Sequence, residues 1–198
     1  MYEIPTTIEI DDQVFPIRCK GDYRMILDCF SCLNDFELTE QERNIGALII
    51  FYEDFNEVSD FQGMDRELFE RLIKEMFNFM ECGENPLHSM PYKTIDWEKD
   101  GQLICSAVNK VANTEVRSVE YMHWWTFIGY FSEVGESVLS MVVTIRTKIK
   151  QSKKLEKYEK EFKARNPHYF IWDSRTAEEK QDEEDILSLW NQGNKGVT

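Results

Sequence analysis

The stretch that decides the fold is residues 64–81, MDRELFERLIKEMFNFME. Its apolar side chains recur every three or four residues, and charged side chains fill most positions between them. This spacing lines the apolar side chains along one face of an α-helix, because a helix completes a turn in about 3.6 residues. The segment therefore predicts an amphipathic helix that packs one face against a core. That face consists of Leu68, Phe69, Leu72, Ile73, Met76, Phe77 and Met80.

The sequence on both sides has the same helical character. Upstream, Asp22 stands where it can cap a helix over 23–34. Thr39-Glu40-Gln41-Glu42 has the capping-box pattern and predicts a helix that runs to about Asp54. Downstream, apolar periodicity predicts further helices, and Pro167 ends the last of them. These helices are expected over 97–112, 119–133, 137–149 and 155–166.

The N-terminal segment has a different pattern. Apolar and polar residues alternate on either side of Asp11-Asp12-Gln13, which is typical of a β-hairpin. The predicted fold class is therefore mainly α, a multi-helix globular domain with a small N-terminal β-hairpin. The domain is expected to span 1–166, with the hairpin in 1–20 and the helices in 22–166. Residues 167–198 are expected to form an acidic tail, in which 176–190 either is helical or orders only on contact.

Composition and charge exclude several classes of function. The chain has 198 residues, 42% of them hydrophobic, which is enough to bury a substantial core. With 37 acidic and 23 basic residues its net charge is -14, which disfavours binding to nucleic acid or to an anionic membrane surface. No apolar run approaches the roughly 20 residues of a membrane span, and no signal peptide is recognisable. These features predict a location in the cytoplasm, with the five cysteines reduced.

The charge is distributed unevenly. Residues 1–100 carry 9 basic and 23 acidic side chains, whereas residues 101–198 carry 14 of each. Residues 146–165 hold nine basic side chains and three acidic ones, and an acidic run follows over 178–185. This pattern is typical of solvated helix faces of mixed charge. It is also compatible with head-to-tail self-association or with an oppositely charged partner.

Two short motifs have the spacing of metal or redox sites, but each lacks its partner. Cys29-Phe30-Ser31-Cys32 is a C-x-x-C without a second pair or suitably spaced histidines. Glu120-Tyr121-Met122-His123 has the spacing of carboxylate-bridged di-iron bundles, which use two copies. Phosphate-binding loops and nucleophile elbows are missing from the sequence. The sequence therefore predicts no metal, no cofactor and no enzymatic activity.

The segment richest in aromatic residues lies in the second half of the chain. Its landmarks occur in a fixed order: Asp96-Trp97-Glu98-Lys99-Asp100 with Leu103-Ile104, then Met122-His123-Trp124-Trp125 leading to Phe127, a loop around Gly135, and Ile145-Arg146. In this order the chain resembles a bacteriophage tail-morphogenesis family known as "gene-product fifteen", encoded beside the tape-measure gene of long-tailed phages and prophages. The resemblance covers most of the chain and is best from Asp96 to Lys160.

The resemblance implies a helical tail-assembly chaperone in the bacterial host. Such a protein is expected to keep the tape-measure protein soluble and to help recruit tail-tube subunits before they polymerise. The alternative is a minor structural or connector component that stays in the tail. Densely spaced large apolar side chains and the family motif provide candidate partner-binding residues. The candidates are Met76, Phe77, Met80, Trp124, Trp125 and Arg146.

Overall fold

A computed structural model of the protein describes residues 3–35, 37–83 and 94–171. Within these residues the chain forms a two-stranded β-hairpin followed by seven α-helices, which confirms the predicted fold class. Strands β1 (Thr7–Ile10) and β2 (Gln13–Pro16) pair antiparallel, and Ile10 lies opposite Gln13. The helices are α1 Tyr23–Leu33, α2 Glu40–Phe51, α3 Arg66–Met80, α4 Gly101–Ala112, α5 Trp124–Ser132, α6 Val138–Lys150 and α7 Lys157–Arg165.

The predicted cap of α2 is confirmed in both directions. The Thr39 hydroxyl oxygen accepts from the Glu42 backbone N–H at 3.3 Å, and the Glu42 carboxylate accepts from the Thr39 N–H at 2.8 Å. This reciprocal arrangement satisfies two backbone donors that a helix start leaves unpaired. The Thr39 backbone bond lowers the pKa of the Glu42 carboxyl because it stabilises the charged form.

Two predicted helices begin later than expected because side chains hold the preceding residues in turns. The Asp96 carboxylate accepts from the backbone N–H groups of Glu98 and Lys99, so α4 begins at Gly101 and not at residue 97. Helix α5 begins at Trp124 and not at residue 119, because the His123 imidazole caps it. The prediction was wrong at both boundaries.

Helix α2 ends at Phe51, three residues before the predicted end at Asp54. The next residue, Tyr52, leaves the helix and forms an isolated antiparallel β-bridge with Ile17, which follows β2. At the other end of the chain, Pro167–Tyr169 is a single 3-10 turn. The predicted helix over 176–190 lies outside the described residues.

One continuous core joins the hairpin to the helices. Helix α1 packs against α2 and α5, and α5 also packs against α4. The rings of Tyr23 and Phe127 stack 4.5 Å apart between α1 and α5, and those of Phe51 and Phe79 meet edge to face between α2 and α3. Helix α6 packs on α4 and adds Leu139 to the core, and α7 packs on α6.

Candidate functional site

Four of the six predicted binding residues are buried. Met76 is 0% exposed, Trp124 1%, and Met80 and Arg146 5% each. In this conformation these four have no surface to offer a partner, so core packing and hydrogen bonding account for them. Phe77 is 37% exposed and Trp125 is half-buried. A binding role for this set stays a prediction, and its accessible members are Phe77 and Trp125.

The two adjacent tryptophans bind the C-terminal end of α3. The Trp124 indole N–H donates to the Met80 carbonyl at 2.8 Å, and the Trp125 indole N–H donates to the Phe79 carbonyl at 2.9 Å. The last carbonyls of a helix have no partner within it, so the Trp124 indole supplies a donor for the Met80 carbonyl. The Phe79 carbonyl also accepts from the Cys82 backbone N–H at 2.9 Å, so the Trp125 indole adds a second bond there. The structure thus brings together Met80, Trp124 and Trp125, three of the predicted residues, in a structural contact.

Phe77 is exposed for a simple geometric reason. Met76 and Met80 are four residues apart and lie on the same face of α3, which is directed into the core. Phe77 is rotated by about 100° from Met76 around the helix, so its ring reaches solvent. The predicted Met76, Phe77 and Met80 stripe therefore divides into two core residues and one surface residue.

Arg146 lies far from the tryptophans, in a buried ion pair with Asp100. Its Nη1 and Nη2 donate to the two carboxylate oxygens of Asp100 at 2.5 and 2.9 Å, and the two side chains are 5% and 3% exposed. The guanidinium also donates to the carbonyls of Thr94 and Tyr169. Arg146 therefore fastens α6 to the turn before α4 and to the turn that follows α7.

The structure contains an open groove that the sequence did not predict. It has a volume of about 650 Å³ and lies between α1, the C-terminal end of α2, the turn after β2 and the segment before α5. No local sequence pattern predicts this groove, because its walls come from segments that are distant in the sequence. Its lining residues are Arg18, Cys19, Asp22, Arg24, Met25, Asp28, Ile49, Ile50, Asn56, Glu120 and Tyr121.

The groove combines apolar side chains with charges of both signs. Ile49 and Ile50 are half-buried, and Tyr121 keeps 45% of its surface exposed while its hydroxyl donates to the Lys20 carbonyl. Asp28 and Glu120 are exposed and contribute negative charge. Concave sites with apolar walls and a few polar groups are the usual places where proteins bind ligands and peptide segments.

Both arginines of the groove have structural roles as well. Arg18 donates to the carbonyls of Ile49, Tyr52 and Phe55, which lie at or beyond the end of α2. Its positive charge at this helix end is favourable because the helix dipole is negative there. Arg24 pairs with Asp22 at 3.0 Å and reaches the carbonyl of Val116, so it connects α1 to the segment before α5.

Beside the groove, Asp22 and His123 connect the start of α1 to the start of α5 through an isolated antiparallel β-bridge. The Asp22 carboxylate accepts from the backbone N–H groups of Arg24 and Met122. His123 Nδ1 accepts from the Trp125 N–H, so Nε2 carries the proton and donates to the Pro5 carbonyl at 3.0 Å. Burial lowers the pKa of His123, because the charged imidazolium loses its hydration there.

The thiols and carboxylates do not assemble into a metal centre within the ranges 3–35, 37–83 and 94–171, where no group of three potential ligands occurs. Burial raises the pKa of the Cys29 thiol, and also that of Cys32, so both favour the protonated form that packs as a small apolar side chain. Within the same ranges, every helix is too short or too polar to cross a membrane.

Fold and groove together define a mainly helical domain with an open concave surface that is walled by apolar and charged side chains. The sequence matches the family model described as "Bacteriophage Gp15 protein" over residues 1–170. The chain therefore belongs to the bacteriophage Gp15 family and is a phage structural or morphogenesis protein. No curated protein and no solved structure matches the chain.

Proposed function

We propose that the protein is a non-catalytic tail-assembly chaperone that binds the tape-measure protein in the cytoplasm of the bacterial host, with tail-tube subunits as a second client. The observation that carries the proposal is the groove beside α1, considered together with the family. A client helix needs apolar contacts at intervals of three or four residues and polar contacts at its edges. Ile49, Ile50 and Tyr121 offer the first kind of contact, and Arg18, Asp28 and Glu120 offer the second.

The charge of the chain supports the same role. A net charge of -14 resists aggregation, and acidic residues are especially effective at keeping a protein in solution. A chaperone that holds long amphipathic helices needs this property while the complex awaits assembly. The negative charge also favours clients with basic side chains, since charge complementarity speeds encounter and selects partners.

The first experiment is co-expression with the tape-measure protein of the same phage or prophage. The expected result is a soluble client that co-elutes with this protein on size exclusion, with light scattering giving the stoichiometry. If the tape measure stays insoluble and this protein elutes alone, the chaperone role is contradicted. Proteomics of purified virions then tests the structural alternative, because a connector subunit is present in the particle whereas a chaperone is missing from it.

A variant pair assigns the binding surface. Tyr121→Ser removes an exposed ring from the groove, and Tyr158→Ser removes a ring of similar exposure, 56% against 45%, from α7. We expect Tyr121→Ser to weaken client binding about tenfold, because aromatic residues contribute strongly at interfaces, and Tyr158→Ser to leave it unchanged.

Phe77→Ser and Trp125→Phe test the surface near the end of α3 in the same assay. Equal binding by Tyr121→Ser and the unmodified protein excludes the groove.

A further inference from the structure

Helix α7 and the segment before it present a basic surface to solvent. Six exposed cations lie on α7 and in the segment that precedes it: Lys153, Lys154, Lys157, Lys160, Lys163 and Arg165. Within the described part of the chain none of the six has a carboxylate partner, and the ion pair between these helices is made by Lys148 and Glu159. Only Glu156 and Glu161 add exposed negative charge to this surface. We call these six cations the basic face.

The described chain ends beside this face. After α7 it turns at Pro167–Tyr169, and the Phe170 ring packs edge to face on Phe162 of α7 with the centroids 6.3 Å apart. Arg146 donates to the carbonyl of Tyr169 at 2.7 Å, which holds the last described residues in place beside α7. The last described residue, Ile171, is 81% exposed.

The sequence that follows has the complementary charge. Residues 178–190, EEKQDEEDILSLW, contain six carboxylates and one lysine, and their last five residues include four large apolar side chains. Six residues separate this acidic segment from Ile171. Extended, they span about 20 Å, whereas the nine residues of α7 span about 14 Å. The acidic segment can therefore reach the whole length of α7.

We propose that the acidic segment 178–190 binds the basic face of its own chain. Attachment through a short connection gives the segment an effective concentration in the millimolar range, which exceeds the concentration of free chains in most conditions. Several weak ion pairs then suffice to hold it. Bound in this way, the segment covers a face that is suited to acidic partners, so such a partner has to displace it. This inference does not depend on the identity of the client.

The test is zero-length carbodiimide cross-linking of the full-length protein, which joins lysines to carboxylates in direct contact. An equal mixture of isotopically light and heavy chains is cross-linked and the peptides are mapped by mass spectrometry. We expect bonds from residues 178–185 to lysines of the basic face, in light–light and heavy–heavy pairs only. Their yield should fall as salt rises from 0.1 to 1 M, because the screening length shortens from about 10 Å to about 3 Å.

Charge reversal provides the control. Lys157→Glu/Lys160→Glu should lower cross-linking at the remaining Lys154 and Lys163 about tenfold, and adding Asp182→Lys/Asp185→Lys should restore it. Lys74→Glu/Lys99→Glu changes the net charge equally at exposed positions outside the basic face and should have no effect. Mixed light–heavy cross-links would identify a second copy as the occupant and overturn the proposal. Cross-links that are missing, or that are equally frequent at Lys74 and Lys99, overturn it as well.

Discussion

At the scale of single residues, side chains of the same type that look equivalent in the sequence differ in how deeply the fold buries them. Trp124 and Trp125 are adjacent and chemically identical, but one is 1% exposed and the other half-buried. Both indoles donate to carbonyls at the end of α3. A local sequence pattern cannot predict these bonds, because 44 and 46 residues separate the partners. The family motif makes Arg146 a candidate for partner binding, whereas in the structure its guanidinium forms an ion pair with Asp100.

The Arg146–Asp100 pair leads to a stability prediction. Arg146→Met leaves the Asp100 carboxylate buried without its partner, so we expect the free energy of unfolding to fall by about 3–5 kcal/mol. Adding Asp100→Leu should recover part of the loss, because two apolar side chains carry no uncompensated charge. Urea unfolding measures both variants. The control is Arg66→Met, whose guanidinium is 90% exposed in its pair with Glu70 and whose loss should leave the transition unchanged.

An equally small effect of Arg146→Met and Arg66→Met would contradict this account. It would mean that the buried pair contributes no more than a surface pair does. A double variant less stable than Arg146→Met alone would contradict it too. In that case packing around the two side chains, and not their charges, would dominate.

At the scale of elements, the sequence predicts what local interactions determine. The α2 cap at Thr39 follows from spacing alone, and the structure confirms it. The predicted core face of α3 is confirmed in part, because Leu72, Met76 and Met80 are buried. Phe77 is exposed, and the buried Phe79 was not predicted. The end of α2 depends on Arg18 and on the bridge between Ile17 and Tyr52, which are contacts over more than 30 residues. The start of α5 depends on a histidine cap, a residue type that sequence rules do not favour at that position. The groove could not be predicted from local sequence either, because its walls come together only in the folded chain.

The indole bonds should control the stability of the last turn of α3. Trp125→Phe removes one hydrogen bond to the Phe79 carbonyl and should cost about 1 kcal/mol. Trp124→Phe leaves the buried Met80 carbonyl unpaired and shrinks a buried ring, so it should cost about 2–3 kcal/mol. Amide hydrogen exchange should quicken at the end of α3 in both variants.

Trp97→Phe is the matched control for these variants. Trp97 packs on Trp124 and Phe131, but within the described residues its indole N–H has no hydrogen-bond acceptor. We expect this substitution to lower global stability modestly and to leave the relative exchange rates of α3 unchanged. If Trp97→Phe accelerates exchange in α3 as much as Trp125→Phe does, loss of ring area and not loss of the hydrogen bond explains the effect.

At the scale of the whole molecule, the chain is electrically asymmetric. The net negative charge lies in residues 1–100, and the basic face lies on α7 and the segment before it. The sequence reveals this asymmetry, but it does not reveal which cations are paired. In the structure Lys148 donates to Glu159 at 2.6 Å, and this bond lowers the pKa of the Glu159 carboxyl. Lys157 and Lys160, on either side of Glu159, are exposed.

His123 links the stability of the whole domain to pH. It touches the N-terminal segment through Pro5, the turn at Gly21 and the first turn of α5, so its protonation state affects all three. Protonation removes the Nδ1 acceptor that caps α5 and places a positive charge at the positive end of the helix dipole. Burial dominates and lowers the pKa of His123, although the hydrogen bond to the Pro5 carbonyl and the neighbouring Asp22 carboxylate oppose the shift.

The sign of the pH dependence follows from this lowered pKa. Near pH 7.5 the histidine is neutral in the folded and unfolded chains, so it contributes nothing to the pH dependence of stability. Below about pH 6.5 the unfolded chain takes up a proton that the folded chain does not yet bind, so stability falls until the pH passes the lower, folded pKa. Carboxyls with lowered pKa values, such as Glu115 with a pKa of about 2, lose their contribution in a separate and more acidic range. Urea unfolding between pH 7.5 and 5.0 measures the effect.

His123→Asn is the decisive variant, because asparagine can still cap α5 but does not titrate. It should lower stability at every pH and flatten the dependence between pH 7.5 and 5.0. The other described histidine, His168, is exposed and unchanged in the variant, so the difference between the two curves belongs to His123. Parallel curves for the two proteins would contradict the assignment. A flat curve for the unmodified protein would show that the folded chain accommodates the imidazolium, and that the bond from Nε2 to the Pro5 carbonyl outweighs the loss of the cap.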